Sequence, residues 1–224
     1  MTRILPALLV LLLAATVWGG TEPAPPVVRQ ELPAEPFARG AMEFQSVTGL
    51  FYFFDRGDND GPSIDLAVES IRVGRMLTSP HGSGFFAGNY EFLGEIFGGG
   101  IFQGPGTVEA GATLFIRYNF IQPHAHVVPY MQIGAGGIYT DISERESRGL
   151  VSLPVEFNLQ GTGGLRFLLN RRCSFLLEAG YRHISNASIK LPNRGVDSVG
   201  GAARCRCLED RRPKRRRRRF HRGR

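Results

Sequence analysis

Cysteine is scarce in this chain, helical periodicity is missing, and beyond the first 20 residues no uninterrupted apolar stretch is long enough to cross a bilayer as a helix. The last absence excludes a helical membrane protein, which needs about 20 consecutive apolar residues per span. It does not exclude a transmembrane barrel, whose strands need an apolar residue only at every second position. Three cysteines, Cys173, Cys205 and Cys207, are too few for a disulfide framework. Cys205-Arg206-Cys207 has neither zinc spacing nor a second pair to complete a site. His124-Ala125-His126 would put two imidazoles on one face if extended. It lies between Pro123 and Pro129, at the junction of two strand-like runs, and reads as a loop. No metal site and no cofactor are expected.

Two segments stand apart in composition. Residues 1–20 carry Arg3, an almost wholly apolar run from Ile4 to Val17, and then Gly19 and Gly20, the pattern of a secretory signal peptide. No cysteine follows it, so a lipoprotein is not expected. Residues 21–41 form a Pro-rich spacer. At the other end, residues 208–224 form an Arg-rich tail with five consecutive arginines, Arg215 to Arg219. The formal charge of +7 belongs to it: without the ten basic residues of 211–224, 17 basic residues face 20 acidic ones, a balance of −3. The tail has three open readings: a nucleic-acid or anionic-headgroup ligand by charge alone, a partner for lipid phosphates, or an out-of-frame replacement of a proper last strand. The abrupt break favours the third, and the leader argues against nucleic acid.

Between these segments the chain is a series of alternating runs, roughly 42–54, 63–77, 84–98, 107–121, 128–140, 150–168, 173–186 and 196–207. Val108, Ala110, Ala112, Leu114, Ile116, Tyr118 and Phe120 share one face against Glu109, Thr113, Arg117 and Asn119. Val151, Leu153, Val155, Phe157 and Leu159 likewise oppose Ser152, Glu156, Asn158 and Gln160. Period two over about ten residues marks a strand. The polar faces mix Glu91, Glu95, Glu109, Glu156 and Glu178 with Arg117 and Arg182, as in the filled interior of a small barrel. Aromatics near run ends, namely Tyr52, Phe54, Tyr118, Phe120, Tyr139 and Tyr181, suit interfacial girdles. The fold class expected is an all-β, eight-stranded antiparallel transmembrane β-barrel over residues 42–207. The first two runs alternate less cleanly, so a bulge is expected there.

The seventh run leads into the densest chemistry. Tyr181-Arg182-His183-Ile184-Ser185-Asn186 is followed by Pro192-Asn193-Arg194-Gly195 and Asp197. In a strand, His183 and Ser185 point to the same side, about 6–7 Å apart along the backbone. An imidazole spans that gap to a hydroxyl. Asp197 opens the next run, where an antiparallel neighbour brings its carboxylate to the other ring nitrogen. These are the roles of a Ser-His-acid triad. Phe175, Leu177, Ala179 and Tyr181 share the face of His183 and Ser185, so the triad faces lipid rather than lumen.

His183-x-Ser185-Asn186-Ala187, with Lys190, Pro192-Asn193, Gly195 and an acid at 197, resembles the active-site hairpin of the lipid A 3-O-deacylases, outer-membrane barrel esterases related to acyloxyacyl hydrolase-like families. The resemblance runs from about Met42 to about Gly201, and only the hairpin is specific. It implies Ser185 as nucleophile, His183 as base and Asp197 as orienting acid, where the family carries Glu. It further implies Asn193 and Asn186 as supports of the oxyanion, lipid A of lipopolysaccharide as substrate, and an outer-membrane location. The alternative is a non-catalytic small barrel with a structural or adhesive role.

Overall fold

The computed structural model describes residues 35–54, 63–145, 149–170 and 172–208. Its strands are β1 (Met42–Phe53), β2 (Asp65–Met76), β3 (Gly88–Gln103), β4 (Val108–Phe120), β5 (Val127–Thr140), β6 (Val155–Leu168), β7 (Cys173–Ser185) and β8 (Val196–Leu208). A short α-helix, α1 (Ile142–Arg145), sits in the connection after β5. Each strand pairs antiparallel with the next. β8 returns to β1, from Glu43↔Leu208 to Phe53↔Ser198, and closes the barrel. The register shifts between Asp65 and Leu66, where β2 enters its pairing with β3. β1 starts and β8 ends on one rim. The opposite rim carries the β5–β6 and β7–β8 connections.

The two faces obey opposite rules. Outside, Phe44, Leu50, Ile71, Phe92, Ile96, Leu114, Ile116, Met131, Ile133, Phe157, Leu159 and Leu165 are all exposed. A continuous belt of that size has no stable place in water, and lipid is the solvent that accepts it. Aromatics bracket the belt. Tyr52 and Phe102 meet edge-to-face at 6.4 Å toward one rim, and Tyr90, Tyr118 and Phe120 meet at about 5 Å toward the other.

Inside, charge is packed to capacity. Arg117 and Arg166 each bridge Glu43 and Glu91 at 3.2–3.4 Å, and Arg72 reaches Glu95 at 2.7 Å and Glu178 at 3.5 Å. Arg204 and Arg206, from the last strand, pair with Glu178 and Glu43. Guanidinium planes cover aromatic rings, Arg72 over Phe115 at 4.4 Å and Arg117 over Tyr130 at 4.5 Å. Each of these guanidiniums is thus paired with a carboxylate on another strand, which buried ions require. Toward the hairpin rim this gives way to an apolar plug of Ile64, Leu66, Val68, Phe97, Ile138, Ile142, Leu150, Val151, Ile184 and Val196.

Two boundaries differ from the sequence pattern. Residues 150–154 are not strand: Leu150 and Val151 turn inward as part of the plug, and β6 starts only after Pro154. The third strand starts at Gly88 and continues through Gly98-Gly99-Gly100 to Gln103. Glycine is used there for close approach. A Cβ on Gly99 would stand 2.7 Å from the Ala67 carbonyl oxygen.

Candidate active site

The register of β7 and β8 sets His183 directly opposite Asp197. Directly opposed residues hold their Cβ atoms about 4.5–5.5 Å apart. The short arm of an aspartate is therefore sufficient, and His183 Nδ1 lies 2.7 Å from Asp197 Oδ1. The pair sits on the outward face near the hairpin rim. The imidazole is a quarter exposed, while the carboxylate is buried between neighbours. Tyr181, two residues before His183 on the same face, donates its hydroxyl to the same Asp197 oxygen. On the other side, Leu159 of β6 opposes His183. Leu159, Gln160, Tyr181 and His183 line a shallow open cleft.

Ser185 occupies the last position of β7 on the same outward face, opposite Phe157. It is half-buried, and no hydrogen bond joins its hydroxyl to His183 among the described residues. The structure therefore brings His183, Asp197 and Ser185 to one face, but couples only the first two.

The two asparagines have different surroundings. Asn186 points inward and is buried. Its Nδ2 donates to Ser152 Oγ at 2.9 Å and to the Lys190 carbonyl at 3.1 Å, tying the hairpin loop to the β5–β6 connection. Asn193 lies in the loop, half-buried, and its side-chain oxygen has no hydrogen-bond partner among the described residues. Arg194 and Gly195 donate their amides to the carbonyls of Gly149 and Leu150 at 3.0 and 2.8 Å, so two loops brace each other beside the site.

Gly195 is required twice over. Its φ of +79° lies in the left-handed region, and a Cβ there would stand 2.7 Å from His183 Cε1. The imidazole occupies the space that any other residue would fill. His124 and His126, by contrast, are exposed in the β4–β5 connection at the other rim. Among the described residues no group of three or more His, Cys, Asp and Glu side chains gathers around a cation site.

Tyr181 escaped the sequence reading as a functional residue because it suited a girdle equally well. Its spacing from His183 placed it on the right face. Its reach to Asp197 depends on the β7–β8 register, which the letters do not give.

A family model described as "Lipid A 3-O-deacylase (PagL)" matches residues 73–206. No curated protein matches the chain. Among solved structures, the barrel is similar to Neisserial surface protein A at 15% identity, covering 75% of this chain and 99% of that one, with a TM-score of 0.50. The outer membrane enzyme PagL is matched at 15% identity over 72% of this chain and 97% of that one, TM-score 0.48. The attachment invasion locus protein Ail of Yersinia pestis is matched at 13% over 76% and 98%, TM-score 0.24. The likeness to Neisserial surface protein A carries the fold alone.

Proposed function

This chain belongs to the lipid A 3-O-deacylase (PagL) family, and from that premise we propose that it is an outer-membrane serine esterase releasing the 3-O-linked acyl chain of lipid A. The observation that carries the reading is the His183–Asp197 pair on the lipid-facing side of the barrel. A soluble substrate has no reason to meet a base there. An acyl ester within a leaflet does.

In this reading Asp197 holds His183 with Nδ1 protonated and Nε2 free to act as base. Nε2 takes the Ser185 proton as Oγ attacks the ester carbonyl, and the imidazolium then protonates the departing sugar oxygen. Water, deprotonated by the same nitrogen, cleaves the acyl-enzyme, and the fatty acid leaves while Ser185 regains its proton. Asn193, with loop amides, stabilises the oxyanion, a contribution of roughly 3 kcal/mol per donor; Asn186 acts by holding that loop. The missing Ser185–His183 bond is compatible with a contact that tightens when substrate arrives. Residues 1–20 direct export.

The same missing bond is what favours the competing reading, a non-catalytic barrel with a structural or adhesive role. Mass spectrometry of lipid A from cells with and without the protein decides between them. The enzyme removes one ester-linked chain, and Ser185→Ala leaves lipid A intact. Lipid A unchanged by the unaltered protein overturns the enzymatic reading.

A further inference from the structure

We propose that Tyr181 is a positioning residue for the reaction, acting through Asp197 to hold His183. The inference rests on the esterase reading for its functional meaning, and on side-chain geometry for its physical content.

Asp197 and His183 are direct cross-strand partners, and Tyr181 is the diagonal neighbour of Asp197, its own partner in β8 being Val199. Diagonal neighbours on one face are about 7–8 Å apart, within reach of an aromatic side chain. The Tyr181 hydroxyl uses that reach to donate to Asp197 Oδ1, the oxygen that also meets His183 Nδ1 at 2.7 Å. A carboxylate oxygen has two lone pairs and accepts both donors. The consequence is directional. An aspartate alone can rotate about χ2 and present either oxygen, or neither, to the imidazole. With two donors on the same oxygen, that oxygen is held toward His183.

The residues next to the pair have other roles. Leu159 is the β6 residue opposite His183, and Gly195 contributes no side chain. Arg182 points into the lumen, where Glu109 holds it at 2.8 Å. Asp197 itself is almost fully buried, so water is a poor replacement for the phenol. A belt tyrosine with its hydroxyl in the headgroup region would make no bond to the carboxylate. This one turns its hydroxyl along the sheet instead.

The test uses the full-length protein folded in detergent micelles, with Tyr181→Phe and Tyr181→Leu as variants. If the hydroxyl positions Asp197, both variants lower kcat by about ten- to a hundredfold with KM unchanged, since the loss is of a hydrogen bond to a charged group. If Tyr181 serves only as belt or cleft wall, Tyr181→Phe keeps full activity and Tyr181→Leu alone is impaired, which overturns the proposal. A second measurement does not depend on turnover. In protein labelled with ¹⁵N-histidine, the His183 ring nitrogens report one tautomer, with Nδ1 protonated, and Tyr181→Phe makes that signal a mixture. An unchanged His183 signal in Tyr181→Phe also overturns the proposal. If the signal changes while the unaltered protein cleaves no ester, the geometry stands and the esterase reading is what has failed.

Discussion

Arg182 and His183 are adjacent in the chain and live in different worlds. Arg182 points into the lumen, bonded to Glu109 at 2.8 Å and Asn158 at 3.1 Å, with the rings of Phe51 and Phe97 near its guanidinium. His183 points outward, with Asp197, Tyr181 and an open cleft. Inside, Arg182 is held by groups drawn from several strands, an arrangement that resists change. Outside, a few polar groups stand in an apolar belt, and among the described residues no hydrogen bond engages His183 Nε2. The pleat of a single strand separates the two, so substitutions one residue apart should fail in different ways.

The largest effect is expected on the outer face. Ser185→Ala and His183→Ala should each lower ester release per folded barrel by at least about a thousandfold, and the double variant should be little worse, because triad members act as a unit. Folding, followed by heat-modified gel mobility, should be unaffected. Near-normal release by Ser185→Ala would reduce this face to a polar strand end. Gly195→Ala should come next. It forces a left-handed conformation costing about 1–2 kcal/mol on an alanine and displaces the His183 ring, so rate should fall about tenfold or more with a modest loss of stability.

On the inner face the signature reverses. Glu109→Ala leaves Arg182 buried with Asn158 but without its carboxylate. Such a loss costs about 3–5 kcal/mol, read as a lower denaturant midpoint, while the rate per folded barrel is kept. Activity lost in proportion at full stability would show that the two faces are not separable.

A smaller effect concerns Asp141, at the hairpin rim just beyond β5. Burial alone would raise its pKa. The Thr107 hydroxyl and the amides of Thr107 and Val108 outweigh that, with Arg145 assisting, and hold it at about 2. A depressed carboxylate adds stability that is complete above its ordinary value near 4 and is lost as pH falls through 2. Asp141→Asn should therefore cost about 1 kcal/mol at neutral pH, after screening at a rim open to solvent, and nothing well below pH 2. Equal destabilisation at both pH values would assign the effect to packing. Deletion of residues 209–224 should change least of all. β8 pairs with β1 through Leu208 without them, and both folding and ester release should persist.

How much of this was legible in the letters follows from which property each feature depends on. The eight strands and the facing of Glu156, Glu178, Arg182 and His183 depend on period two alone, and sequence carries that directly. Leu150 and Val151 misled because a residue buried in a plug and one facing lipid are the same letters; Pro154 was the available sign that the strand had not yet begun. Arg204 and Arg206 follow the same period two at the end of the eighth run, and they lie in the lumen of β8. Asp197 was expected beside His183 from the hairpin, but the bond from Tyr181 and the braced loops require strand register and loop pairing. No local pattern encodes those.

The number of strands has a consequence of its own. Eight crossings return the chain to the side from which it set out, so β8 ends beside the start of β1 at Glu43↔Leu208, and the hairpin with Ser185 lies across the full height of the barrel. Leu208, the last described residue, therefore lies at one rim of the barrel while the His183 cleft opens toward the other. In the esterase reading a lipid substrate would reach the cleft by lateral diffusion within the leaflet that borders the hairpin rim.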